Sequence, residues 1–120
     1  MARSLVVKVT CGAEDAERCN QAFTVAAAAA ASGADVSLWL TGGAAWFGVP
    51  GRAEDFDLEL ATPLDQLMTA VLMTGSVTVC SQCAARRGIV EADLRAGAVI
   101  AGAAGFVEEV LADGVQALVY

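Results

Sequence analysis

Short aliphatic and β-branched runs alternate along this chain with helical stretches too long to be hairpin turns. That alternation restricts the fold more than any single motif does. Ser4 to Thr10 reads as a strand, apolar in the middle except at Lys8, and Cys11-Gly12 closes it. A helix follows from about Asp15 to Ser32, with Cys19, Ala22, Phe23, Ala26 and Ala30 at helical spacing and Gly33 where a left-handed cap belongs. Asp35 to Leu40 is a second strand, and Thr41-Gly42-Gly43 turns the chain into a short helix carrying Trp46-Phe47. Val49 to Ala61 is an acidic connection holding Glu54, Asp55, Asp57 and Glu59. The next helix is predicted to open with Thr62 as cap and Pro63 as first helical residue; its apolar face is Leu64, Leu67, Met68, Val71 and Leu72, and Gly75 ends it. Ser76 to Val79 is the third strand.

Beyond Gly88 an irregular segment leads to a strand at Ala98–Ala101. A helix from Ala104 to Ala112 follows, its buried face predicted as Phe106, Val107, Val110 and Leu111, and Gln116–Val119 is a fifth strand. Strands joined through helices require crossover connections, and hence a parallel sheet covered on both faces. The predicted fold is one α/β domain over residues 1–120, a three-layer α/β/α sandwich with a five-stranded parallel sheet of the doubly wound kind. In such sheets reactive groups gather at the carboxyl ends of the strands, where Cys11 and Cys80 both fall. Strand order decides whether they are neighbours, since each intervening strand adds roughly 5 Å.

Composition narrows the chemistry. A formal net charge of −7 argues against direct nucleic-acid binding, which relies on Lys and Arg neutralising phosphates, and Arg86-Arg87 is the only basic pair. The apolar run after Arg3 is too short for a signal peptide and is broken by Lys8, and the tract Ala26–Ala31 is too short to span a bilayer. A cytoplasmic protein without membrane contact is the expectation. Histidine is absent, which excludes Ser-His-Asp and Cys-His pairs within one chain and any His-ligated metal. Four cysteines in a chain with an ample core and no export signal read as catalytic or metal-binding thiols rather than as disulfides. No phosphate-binding glycine fingerprint follows the first strand, and the Cys11–Cys19 spacing matches no common zinc knuckle, so neither cofactor nor metal is predicted.

The segment from Val77 to Gly88 concentrates the functional signal. An apolar run ends in Cys80, and an Ala/Arg helical stretch begins at once. Cys80 therefore faces the unpaired amides of a first helical turn, a field that favours a thiolate or a persulfide anion. Cys83 lies one turn on, giving the Cys80-Ser81-Gln82-Cys83 spacing of dithiol redox motifs. It serves either as a resolving thiol or as helix packing. Cys11 is a strand-end thiol or a small hydrophobe, and Cys19 falls in the apolar periodicity of the first helix and reads as core. Arg86 and Arg87 stand roughly 9–10 Å from Cys80 along a straight helix. They reach the sulfur only if the chain reverses, which Gly88 permits. The acidic run Glu54–Glu59 reads as a solvated loop, or as a lid with Trp46 and Phe47 as apolar walls. The alanine tract packs on the sheet or against another subunit.

Several of these pieces, taken in order, resemble the DsrE/TusD-like family of small sulfur-relay proteins over nearly the full length. They are Leu5-Val6-Val7-Lys8-Val9-Thr10, the turn Gly12-Ala13-Glu14-Asp15, Gly33-Ala34-Asp35-Val36, the helix start Thr62-Pro63-Leu64, and Val79-Cys80 with Arg86-Arg87-Gly88-Ile89. The resemblance implies a five-stranded parallel α/β/α sandwich assembled into trimers or hexamers. It implies a persulfide carried on Cys80 and handed between donor and acceptor proteins. The second thiol departs from the single-cysteine pattern of the sulfur-transferring members, which leaves two competitors: a dithiol reductase using Cys80 and Cys83, and a non-catalytic oligomeric binding protein.

Overall fold

The structure, a computed structural model, describes residues 2–120. Five strands run in the order β1 (Ser4–Val9), β2 (Asp35–Leu40), β3 (Ser76–Cys80), β4 (Ala98–Ala101) and β5 (Gln116–Val119). Four α-helices connect them: α1 (Ala16–Ala31), α2 (Leu64–Thr74), α3 (Ser81–Arg86) and α4 (Ala103–Leu111). All pairings are parallel and the spatial order is β4-β3-β2-β1-β5. Helices lie on both faces of this sheet, so the predicted three-layer α/β architecture is the observed one.

Side-chain alternation explains the two unequal faces. Val7, Val9, Leu38, Leu40, Val77 and Val79 all point to one side, where α1 and α2 cover them. From α1 the fully buried residues Cys19, Ala22, Phe23 and Ala26 meet that surface. Phe23 meets Phe47 edge to face at 6.1 Å, and burying such a ring stabilises by about 1.5–3 kcal/mol. The alanines Ala28 and Ala31 stay exposed while Ala26 and Ala27 pack inward, so the tract serves the sheet on one side only. Gly33, at φ 92°, follows Ser32 at the helix end as the sequence predicts.

The opposite face carries Lys8, Trp39 and Thr78 in one row, and α4 packs on it. Trp39 is pinned there by an edge-to-face contact with Phe106 at 5.4 Å and by its indole N–H donating to Glu109 at 2.9 Å. The predicted buried stripe on α4 needs correction. None of its residues is buried: Val107 is 46% exposed and Leu111 77%. A nine-residue helix over a five-stranded sheet brings one ridge into contact, and Phe106 with Glu109 supplies it. Val99 and Val119 flank it on the sheet and are exposed as well.

Two local expectations also change. Thr62 does not cap α2. The cap position is Pro63, whose carbonyl accepts from Gln66 and Leu67, while Asn20 of α1 donates to the Thr62 carbonyl at 3.3 Å. Proline has no amide hydrogen to lose at a helix start and its fixed φ also suits this position. The short helix bearing Trp46 and Phe47 is a 3-10 segment, Gly42–Gly48, a tighter turn than an α-helix.

Candidate functional site

Strand β3 runs one residue further than its apolar pattern predicts, so Cys80 is both its last residue and the N-cap of α3. Its backbone is extended there (φ −60°, ψ 128°), which turns the following amides toward the cysteine side chain. Cys80 is partly exposed, on the α4 side of the sheet edge, one pleat beyond Thr78. Burial is the largest single influence on its thiol and acts to raise the pKa. It is outweighed by donation from the Cys83 N–H, the Cys83 thiol and the Gln82 N–H, with a smaller contribution from the Lys8 ammonium. The net effect holds Cys80 below the ordinary thiol value of 9.0.

Cys83 sits on the same turn, partly buried, and its sulfur accepts the Gly42 N–H at 3.2 Å. That contact is not legible in the sequence, because it joins the start of the 3-10 segment to α3 across 41 residues. Gly42 is held at φ 55°, and a Cβ there would meet the Thr10 carbonyl oxygen at 2.5 Å, so the position demands glycine. The result is a pair of sulfurs on one turn of α3, the second of them accepting a backbone amide. In this pair the second thiol favours the thiolate of the first and is itself held by the 3-10 segment that follows β2.

The remaining thiols are placed elsewhere. β2 lies between β1 and β3, so Cys11 and Cys80 are two strand spacings apart, about 10 Å. They also face opposite sides, since Cys11 belongs to the core with Val7 and Val9. Cys11 is buried, its thiol directed at the Asp15 carbonyl at 3.8 Å; burial, then the charges of Asp15 and Glu14, raise its pKa. Cys19 is fully buried and is pushed up to about 12, chiefly by burial. Both behave as small hydrophobes. Gly88 does reverse the chain, at φ 67°, but Arg87 turns back only as far as the Cys83 carbonyl, at 3.1 Å, and not to a sulfur. Among the described residues no three Cys, Asp or Glu side chains converge as metal ligands.

The acidic segment after the 3-10 turn is exposed at Glu54, Asp55, Asp57 and Glu59. Phe56 anchors it by packing edge to face on Phe47 at 5.6 Å. Trp46 is half-buried beneath Arg52, whose guanidinium carbon lies 4.1 Å from the indole centroid. These groups wall a groove with Gly43 and Arg87.

Fold and site together define a small parallel α/β protein with a thiol pair at the carboxyl edge of its sheet. The chain belongs to the DsrE/DsrF-like family, which matches residues 3–119. Among solved structures it is similar to the ychN protein from E. coli, with a TM-score of 0.80, 20% identity and full coverage of both chains. It is also similar to MTH1491 from Methanobacterium thermoautotrophicum, with a TM-score of 0.66, 10% identity and full coverage of both chains. A third is BT1422 from Bacteroides thetaiotaomicron, with a TM-score of 0.60 and 17% identity over 98% of this chain and 95% of that one. The last two are described as proteins of unknown function, and at these identities the likeness concerns the fold. No curated protein matches the sequence. No helix among the described residues is long and apolar enough to cross a membrane.

Proposed function

We propose that this chain is a single sulfur-relay domain in which Cys80 takes up sulfane sulfur as a persulfide and passes it between protein partners. The observation that carries the reading is the place of Cys80, partly exposed at the carboxyl end of β3 and at the N-cap of α3, where Cys83 and Gln82 favour an anionic sulfur. In uptake, the Cys80 thiolate attacks the terminal sulfur of a donor persulfide; the S–S bond of the donor breaks and the donor leaves as a thiolate. Transfer to an acceptor thiolate repeats the exchange in the other direction. Membership of the DsrE/DsrF-like family supports this chemistry, and the partial exposure of Cys80 supports access by a partner. We also expect a homotrimer or homohexamer.

A second reading is favoured by the position of Cys83. Its sulfur is held by Gly42 beside Cys80, where it can resolve a persulfide. The Cys83 thiolate attacks the inner, Cys80 sulfur, hydrosulfide leaves, and a Cys80–Cys83 disulfide remains. The sulfane sulfur is reduced by the two electrons the thiols lose. The two readings separate on persulfide lifetime. After loading with a sulfane sulfur donor, wild type that keeps its persulfide as long as Cys83→Ser is a relay. Wild type that releases sulfide and yields a mapped Cys80–Cys83 disulfide, while Cys83→Ser retains the persulfide, is a dithiol reductase. Persulfide formed on Cys11 or Cys19 instead would defeat both.

A further inference from the structure

The groove beside Gly43 is open to solvent and has a volume of about 420 Å³, within the range of small-molecule sites. Its walls are unusual for a chain with a net charge of −7 and only seven basic residues. Two of those seven, Arg52 and Arg87, line it together with Trp46 and Phe56. Arg52 lies over the Trp46 ring, an arrangement that covers the guanidinium with an aromatic face, and the guanidinium N–H groups make no hydrogen bond among the described residues. Arg87 spends one N–H on the Cys83 carbonyl and keeps the rest. The one ion pair among the described residues is Arg18 with Asp15, so neither groove arginine is neutralised, although Glu14 and Asp55 stand in the same walls. The Glu14 carboxylate is engaged within the wall: both its oxygens accept the Gly12 N–H at 2.9 Å. Asp55 is exposed and makes no such bond.

We propose that this groove binds a low-molecular-weight thiol bearing carboxylates and an ammonium group. Two unpaired guanidinium groups fit carboxylates in the bidentate geometry that arginine offers, and Asp55 fits the ammonium. Trp46 and Phe56 give the apolar body of such a molecule a surface to lie on. The choice of a thiol rests on the sulfur-carrier reading of Cys80, because Gly43 and Arg87 of the groove lead to the contacts of Cys83. Gly43 forms part of its wall, the adjacent Gly42 amide touches the Cys83 sulfur, and Arg87 clamps the Cys83 carbonyl. A bound thiolate attacking the outer sulfur of a Cys80 persulfide leaves as a small persulfide and returns Cys80 as thiolate. The exchange needs no added oxidant or reductant.

The test is titration of the reduced full chain with glutathione and with S-methylglutathione. It is followed by calorimetry and by Trp46 fluorescence on a Trp39→Phe background. Both probes are expected to saturate with similar affinity, since recognition lies in the charged groups. Arg52→Gln and Arg87→Gln, checked for an unchanged far-UV spectrum, are each expected to weaken binding about tenfold. Absence of saturable binding up to millimolar probe, or affinity indifferent to both arginine substitutions, overturns the proposal. Binding is read without any sulfur chemistry, so the two ideas fail separately. A chain that loads a persulfide on Cys80 yet does not bind glutathione refutes the groove assignment alone. Arginine-dependent binding by a chain that loads no persulfide upholds the groove and refutes the carrier.

Discussion

Replacing Cys83 by Ala removes one of the three donors that hold the Cys80 thiolate and leaves the two backbone amides in place. A hydrogen bond to a charged group contributes about 1.5–3 kcal/mol. At a partly exposed sulfur, solvent replaces part of what is lost, so a discounted figure of about 1 kcal/mol is appropriate. At 1.36 kcal/mol per tenfold change, that corresponds to roughly a fivefold loss of thiolate at any pH below the midpoint. The direction follows from the charge. Cys80 titrates below 9.0, and losing a donor to its anion moves the midpoint back up toward that value. The assay is pH-resolved alkylation under pseudo-first-order conditions, with the Cys80 peptide quantified by mass spectrometry. Cys83→Ala should alkylate Cys80 about fivefold more slowly near neutral pH, with the wild-type rate recovered at high pH. Cys83→Ser, whose hydroxyl can still donate, should retain most of the wild-type rate. An unchanged or faster rate in Cys83→Ala would refute the claim that the second thiol supports the first.

Gly42→Ala should destabilise the fold by about 1–3 kcal/mol in a urea melt, because the new Cβ meets the Thr10 carbonyl in a left-handed backbone; an unaltered midpoint would contradict the packing described. Alkaline pH should unfold the chain through Cys19. Its thiol is neutral in the folded state up to about 12 but ionises near 9.0 once unfolded, so stability present below pH 9 is lost as pH rises toward 12, by about 4 kcal/mol at the upper end. Cys19→Ala, though less stable at neutral pH, should show a shallower alkaline slope in denaturant melts. The exposed apolar surface of Val99, Val107, Leu111 and Val119 should be buried between subunits, giving a trimer or hexamer by light scattering. Leu111→Glu with Val119→Lys should lower the mass, and a wild-type monomer across micromolar concentrations would sink that expectation.

The sheet was legible because its strands are short β-branched runs closed by glycine or by polar residues, and β2 and β5 begin and end where the apolar pattern does. The placement of Cys80 was legible for the same reason: Val77, Thr78 and Val79 are β-branched and buried, and a short helix follows at once. What periodicity cannot reveal is which neighbour covers a face. The α4 stripe has the spacing of a buried helix, yet Val107 and Leu111 are left outside because the helix is too short to span the sheet. Strand order lies outside local pattern too, and with it the separation of Cys11 from Cys80. The Gly42 amide on Cys83 and the pairing of Arg52 with Trp46 depend on loops meeting in three dimensions, for which Gly42-Gly43 was only a turn signal.

The most direct test of Cys80 as the sulfur carrier is intact-mass measurement after incubation with a sulfurtransferase and thiosulfate or cysteine. It is run in parallel on wild type and Cys80→Ser. The account predicts that wild type gains the mass of one sulfur atom, lost again on treatment with a reductant, and that Cys80→Ser gains none. An equal gain in Cys80→Ser, mapped to Cys11, Cys19 or Cys83, would contradict it.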